Sequence, residues 1–113
     1  MITYRNDLSV TPGGKPLRIR LNQRDANFRL IFDLYSTVGK FTMQSGSSVK
    51  MTGRFLDGTS FTANGTYSGT TVTVNGTADM TAGRGDAIAE LTITRNGKQL
   101  STANFILSIE RKP

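Results

Sequence analysis

The stretch that most limits what this chain can fold into lies near its end. From Ala87 to Thr94 the side chains alternate: Ala87, Ala89, Leu91 and Ile93 share one side, and Ile88, Glu90, Thr92 and Thr94 share the other. The segment Leu100–Ile109 alternates in the same way, with Phe105, Leu107 and Ile109 set against Asn104, Ser108 and Glu110. A period of two fits a strand with one buried face and does not fit a helix, whose faces repeat every 3.6 residues. Between the two runs stands Arg95-Asn96-Gly97-Lys98. Asn-Gly tolerates the positive φ angles of a type I′ turn, so the spacing predicts an antiparallel hairpin.

The same rhythm recurs upstream. Ile2, Tyr4, Leu8 and Val10 suggest an edge strand, and Thr11-Pro12-Gly13-Gly14 a turn. Leu17, Ile19 and Leu21 alternate with Arg18 and Arg20, giving one apolar and one basic face. After the polar break Asn22–Asn27, Phe28, Leu30, Phe32 and Leu34 form the most apolar strand, and Ile31 and Tyr35 make its outer side partly apolar too. Such a strand is expected to be central or covered by a partner. Ser36–Ser48 reads as a long exposed connection. Val49, Met51, Gly53 and Phe55 alternate with Lys50, Thr52 and Arg54, turn at Asp57-Gly58, and return through Phe61 and Ala63. Asn64-Gly65 is either a further turn or a bulge in a longer strand. Val72 and Val74 mark another strand, and Ala82–Asp86 links it to the final hairpin. No window has helical spacing. Strands at intervals of about ten residues predict an all-β domain, an antiparallel β-sandwich of immunoglobulin-like or jelly-roll-like type with little or no helix.

Length and composition narrow the function. A chain of 113 residues builds one core, so residues 1–113 form one domain, with 110–113 expected to begin a linker. No apolar run approaches the ~20 residues of a membrane helix, and the N-terminus lacks a signal-peptide core. The chain has no Cys and no His, which removes disulfides, thiol nucleophiles, imidazole bases and the usual zinc sites. No catalytic group, cofactor or metal is therefore expected. Asp25 and Asp33 lie across a break, Asp57 and Asp86 belong to turns, and no acid–base pair stands out.

Several short motifs read as turns. Asn64-Gly65-Thr66 and Asn75-Gly76-Thr77 match the glycosylation pattern, and Arg84-Gly85-Asp86 an adhesive tripeptide, but each is short and sits in a predicted turn. Gly13-Gly14-Lys15 lacks the spacing of a phosphate loop.

Fourteen Lys and Arg against eight Asp and Glu give a net charge of +6. An acidic protein partner or a single-stranded nucleic acid would both suit that charge. Nucleic-acid barrels interleave cations with exposed aromatics, whereas Phe28, Phe32, Phe55, Phe61 and Phe105 all fall on inward positions. Tyr4, Tyr35, Phe41 and Tyr67 are left as platforms, and the lack of Trp weakens a sugar-binding reading. A small basic β-barrel for single strands is the alternative.

Two segments in this order resemble the N-terminal domain of phage baseplate upper proteins. The first is Leu21–Tyr35, with its Gln23-Arg24-Asp25 ahead of an alternating strand and Gly39 soon after. The second runs from Met80-Thr81-Ala82 through Asn96-Gly97-Lys98 to Ser101-Thr102-Ala103-Asn104-Phe105. Between them Asp57-Gly58 is similar to the family's turn. Arg24 stands where the family often has Gly. The resemblance implies a β-sandwich that docks on a siphophage tail hub and links it to host-recognition proteins. It further implies tail and baseplate proteins as partners, a homo-trimer in complete members, and a place in the virion after synthesis in the bacterial cytoplasm. Arg18, Arg20 and Arg29 are expected to face an acidic partner, with Ile31 and Tyr35 as apolar interface material.

Overall fold

The computed structural model describes residues 1–11, 17–83 and 85–110. The turn placed at Pro12–Gly14, Lys15, Arg84 of the tripeptide and the closing Arg111–Pro113 lie outside the described residues.

The regular secondary structure is almost all strand. In order it forms β1 (Ile2–Ser9), β2 (Leu17–Asn22), β3 (Phe28–Ser36), β4 (Gly39–Lys40), β5 (Ser48–Phe55), β6 (Ser60–Ser68) and β7 (Thr71–Asn75). A single helical turn, α1 (Ala78–Thr81), precedes β8 (Gly85–Arg95), β9 (Lys98–Ser101) and β10 (Phe105–Glu110). The hydrogen-bonded order is β1-β3-β7-β6-β5-β8-β10-β2, with β4 added to β3 and β9 to β8. β6 serves both halves of this path: Ser60–Gly65 pairs with β5, and Thr66–Ser68 pairs with β7. At the far ends β1 and β2 touch without forming a ladder, so the sheet curls in a barrel-like way around one core.

Alternation correctly assigns the faces. Phe28, Leu30, Phe32 and Leu34 of β3, Val49, Met51 and Phe55 of β5, and Ala87, Ala89, Leu91 and Ile93 of β8 are all buried in one cluster. The expectation of a purely antiparallel arrangement is corrected. β1 runs parallel to β3, and β2 runs parallel to β10. Each of these pairs is separated by other strands in the chain, the long crossover that a parallel pair requires.

Ser36–Ser48 is also corrected. It is not simply an exposed connection. β4 folds back on the end of β3, pairing Tyr35 with Lys40; Phe41 then packs against the core, and Met43 is buried with its amide bonded to the Gly69 carbonyl. Asn64-Gly65 is no turn either, but lies within β6 where the strand passes from one neighbour to the other.

The predicted final hairpin forms, with Arg95 opposite Lys98 and positive φ at both Asn96 (53°) and Gly97 (75°). Its return is in two pieces. Ser101 faces Thr92 but Phe105 faces Ala89, so the return strand carries one extra residue. The bulge is held by buried Thr102, whose Oγ accepts from the Leu91 amide and donates to the Ala103 carbonyl. A side chain thus replaces a missing ladder partner.

The two sequence segments that carry the family resemblance meet in space. The Arg24 amide donates to the Thr81 carbonyl, Gln23 Nε2 reaches the Ala82 carbonyl, and buried Thr81 donates its hydroxyl to the Asp25 carbonyl. Arg24 pays for this turn with φ of 71°, where a side chain costs ~1–2 kcal/mol. Arg24→Gly is expected to raise stability by up to about 1 kcal/mol, because the relief is partly offset by the greater freedom of glycine in the unfolded chain. Urea unfolding measures it. A lower midpoint would mean that the Arg24 side chain contributes more than its backbone costs.

Candidate interaction surface

The basic stripe of β2 is present, but its charges are answered within the chain. Arg18 Nη1 lies 3.0 and 3.1 Å from the two carboxylate oxygens of Asp86, and Arg20 Nη1 lies 3.3 Å from Glu110. A partner's carboxylate would have to compete with both. Arg29 sits on β3, near the other end of the strand order, and donates to Thr3 Oγ. The structure therefore does not bring the three arginines together on one strand pair.

Ile31 and Tyr35 share the outer face of β3 with Arg29 and Asp33. Ile31 is half-buried between Arg5 and Thr73, and Tyr35 is 44% exposed. Among the described residues Tyr35 is the sole exposed aromatic. Tyr4 packs edge-on against Phe28, and Phe41 and Tyr67 lean on the core. A stacking platform for successive bases is absent from the described residues.

On the same face Arg5 makes a two-point bond to Asp33 at 2.8 and 2.9 Å, and Thr71 adds a third donor at 3.0 Å. The Arg5 hydrogen bond is the first cause holding the Asp33 carboxyl below its ordinary 3.8. The Asp57 carboxyl is lowered too, by the hydroxyl and then the amide of Thr59, which close the Asp57-Gly58 turn. A carboxyl lowered in the folded state stabilises above its unfolded pKa and loses that contribution as pH falls through the folded value. The urea midpoint is expected to hold from pH 7 to about 5 and to fall below about pH 4. Asp33→Asn should flatten part of that fall.

The other family-motif residues also have structural partners. Gln23 and Asp25 form the turn against α1, Thr102 holds the bulge, and Phe105 is fully buried, while Ser101 is exposed on β9.

Recesses also lie elsewhere, and two of them carry apolar side chains at the surface. A groove of 740 Å³ crosses β5, β6 and β8, lined by Arg54, Leu56, Ile88, Glu90 and Asn104 among others. Leu56 and Ile88 are 89% and 52% exposed. Among the described residues that line it, Glu90 is the one carboxylate. A smaller crevice of 280 Å³ separates residues 41–47 from β9. Sequence reasoning missed both: the first is assembled across three strands, and the second depends on the apolar pair Phe41 and Met43 in a stretch read as loop. No group of three or more metal-ligating side chains occurs among the described residues. Such a surface offers ion-pairing arginines, exposed aliphatics and strand edges, the means of recognising another surface by shape and charge.

The fold is that of a phage protein domain. Among solved structures the chain matches the N-terminal domain of phage TP901-1 ORF48 with a TM-score of 0.74 and 15% identity, over 97% of this chain and 99% of that one. The resemblance seen in the motifs holds at the level of the fold. No family model matches the chain, and no curated protein does.

Proposed function

We propose that this chain is a non-enzymatic structural adaptor of a phage or prophage tail or baseplate. It docks on the tail hub and connects it to host-recognition proteins. The observation that carries this reading is the end-to-end likeness to a phage protein's N-terminal domain. In this reading the two halves of the curled sheet act as the packed layers of a sandwich, and their outer faces are mounting surfaces. Arg18, Arg20, Arg29, Ile31 and Tyr35 are interface candidates, the partners are other tail proteins, the working assembly is a homo-trimer, and its location is the virion.

The test mixes the purified chain with the tail-hub protein of its own phage and measures mass by light scattering after gel filtration. A defined complex is expected. Failure to associate, or retention of a single-stranded oligonucleotide that weakens steeply with salt, would overturn the adaptor reading, the latter in favour of nucleic-acid binding.

A further inference from the structure

The crevice beside β9 combines an open backbone edge, an apolar floor and positive charge that meets no carboxylate among the described residues. Among the described residues β9 pairs with β8 alone. Arg95 and Lys98 flank a two-residue turn, so they are a hydrogen-bonded pair, and Thr94 and Gln99 are the next, non-bonded pair. The Thr102 amide bonding to the Leu91 carbonyl keeps the same alternation. The amide and carbonyl of Gln99, and those of Ser101, consequently point away from β8. Among the described residues no strand lies on that side of β9.

Below the edge, Phe41, Met43, Ile93 and Leu100 line the crevice, and Leu100 remains 39% exposed although its cross-strand partner Ile93 is buried. Its volume of 280 Å³ is under the ~300–1,000 Å³ of pockets that enclose small molecules. It suits an inserted side chain. Arg95 and Lys98 stand at the rim, and no carboxylate lines the crevice among the described residues. Arg95 spends its Nε on the Ser45 carbonyl at 3.1 Å, leaving its terminal nitrogens for a ligand. Arg5, Arg18 and Arg20, by contrast, each have a carboxylate in the chain itself.

We propose that this crevice receives an extended acidic segment of the tail-hub partner, which adds as a strand to β9, seats an aliphatic side chain beside Leu100 and sets a carboxylate against Arg95 and Lys98. Main-chain bonds to an edge give such binding its affinity and alternate side chains give it specificity. The inference rests on the adaptor reading and names where that docking occurs.

The experiment titrates the hub protein of the same phage into the intact chain by calorimetry. Gln99→Pro removes the outward amide while sparing the β8–β9 bonds, and it is expected to weaken binding about tenfold or more, the effect of losing one charge-flanked anchor of ~1.4 kcal/mol. Gln99→Ala keeps the amide and should bind as wild type. Lys98→Glu changes an exposed side chain beside the turn, and it should weaken binding similarly and reduce its salt dependence. Unchanged affinity in both Gln99→Pro and Lys98→Glu, with wild type binding normally, overturns the crevice and leaves the adaptor reading standing. Absence of wild-type binding overturns both.

Discussion

Phe105→Ala is expected to destabilise the domain by about 3–5 kcal/mol, the range for removing a large buried aromatic. Phe105 is fully buried on β10, and its ring centroid lies 4.9 Å from that of Phe32, also fully buried, at a tilt of 46°. Phe32 belongs to β3 in one half of the curled sheet and Phe105 to β10 in the other. The pair therefore joins the halves through side chains where no backbone ladder does. Domains have ~0.05–0.15 kcal/mol of stability per residue, so this loss is a large part of what a chain of 113 residues has. Urea unfolding should show a midpoint lowered by more than about 1 M. Phe32→Ala should cost a similar amount, and the double variant less than the sum, because touching residues are not additive. A loss below about 1 kcal/mol would show that the halves are held together elsewhere.

Which side of β3, β5 and β8 is buried was readable in the sequence because a period of two is a local property. The final turn was readable for the same reason: Asn96 and Gly97 set their own φ angles. Strand direction and neighbour were not. Nothing within Ile2–Ser9 says that it will lie parallel to Phe28–Ser36, since parallel and antiparallel pairing use the same alternation. The site was legible to the same degree. Arg18 and Arg20 were visible as one basic face, but Asp86 and Glu110, which answer them, lie 68 and 90 residues away in the chain. The crevice at β9 was hidden because Phe41 and Met43 sit in a segment rich in Gly and Ser, where two apolar residues do not make a periodic signal. The extra residue at Thr102 concealed the break between β9 and β10, which a continuous alternating run did not reveal.

Gly53→Val is expected to lower stability by about 1–3 kcal/mol or more through overpacking, and here strand propensity and packing predict opposite signs. By propensity alone the change should help, since Val favours strands over a scale of ~1 kcal/mol and Gly is among the weakest residues there. Packing forbids it. Gly53 on β5 stands opposite Phe61 on β6 and opposite Ala89 on β8, which in turn faces Phe105 on β10. Across four strands the row runs large, small, small, large, and the ring of Phe61 lies over Gly53. A Cβ there would overlap the Phe61 ring at Cζ. The ring cannot move freely, because it is buried and packs against Phe55 at 5.9 Å. Phe61→Ala should itself cost about 3 kcal/mol or more, yet combining it with Gly53→Val should recover part of that loss, as the valine fills space the ring vacated. Thermal unfolding of the two singles and the double measures the coupling. A stabilised single Gly53→Val would mean that the ring has another place to go, and that the outward side chains of β5, Arg54 among them, rest on a looser support than this packed row implies.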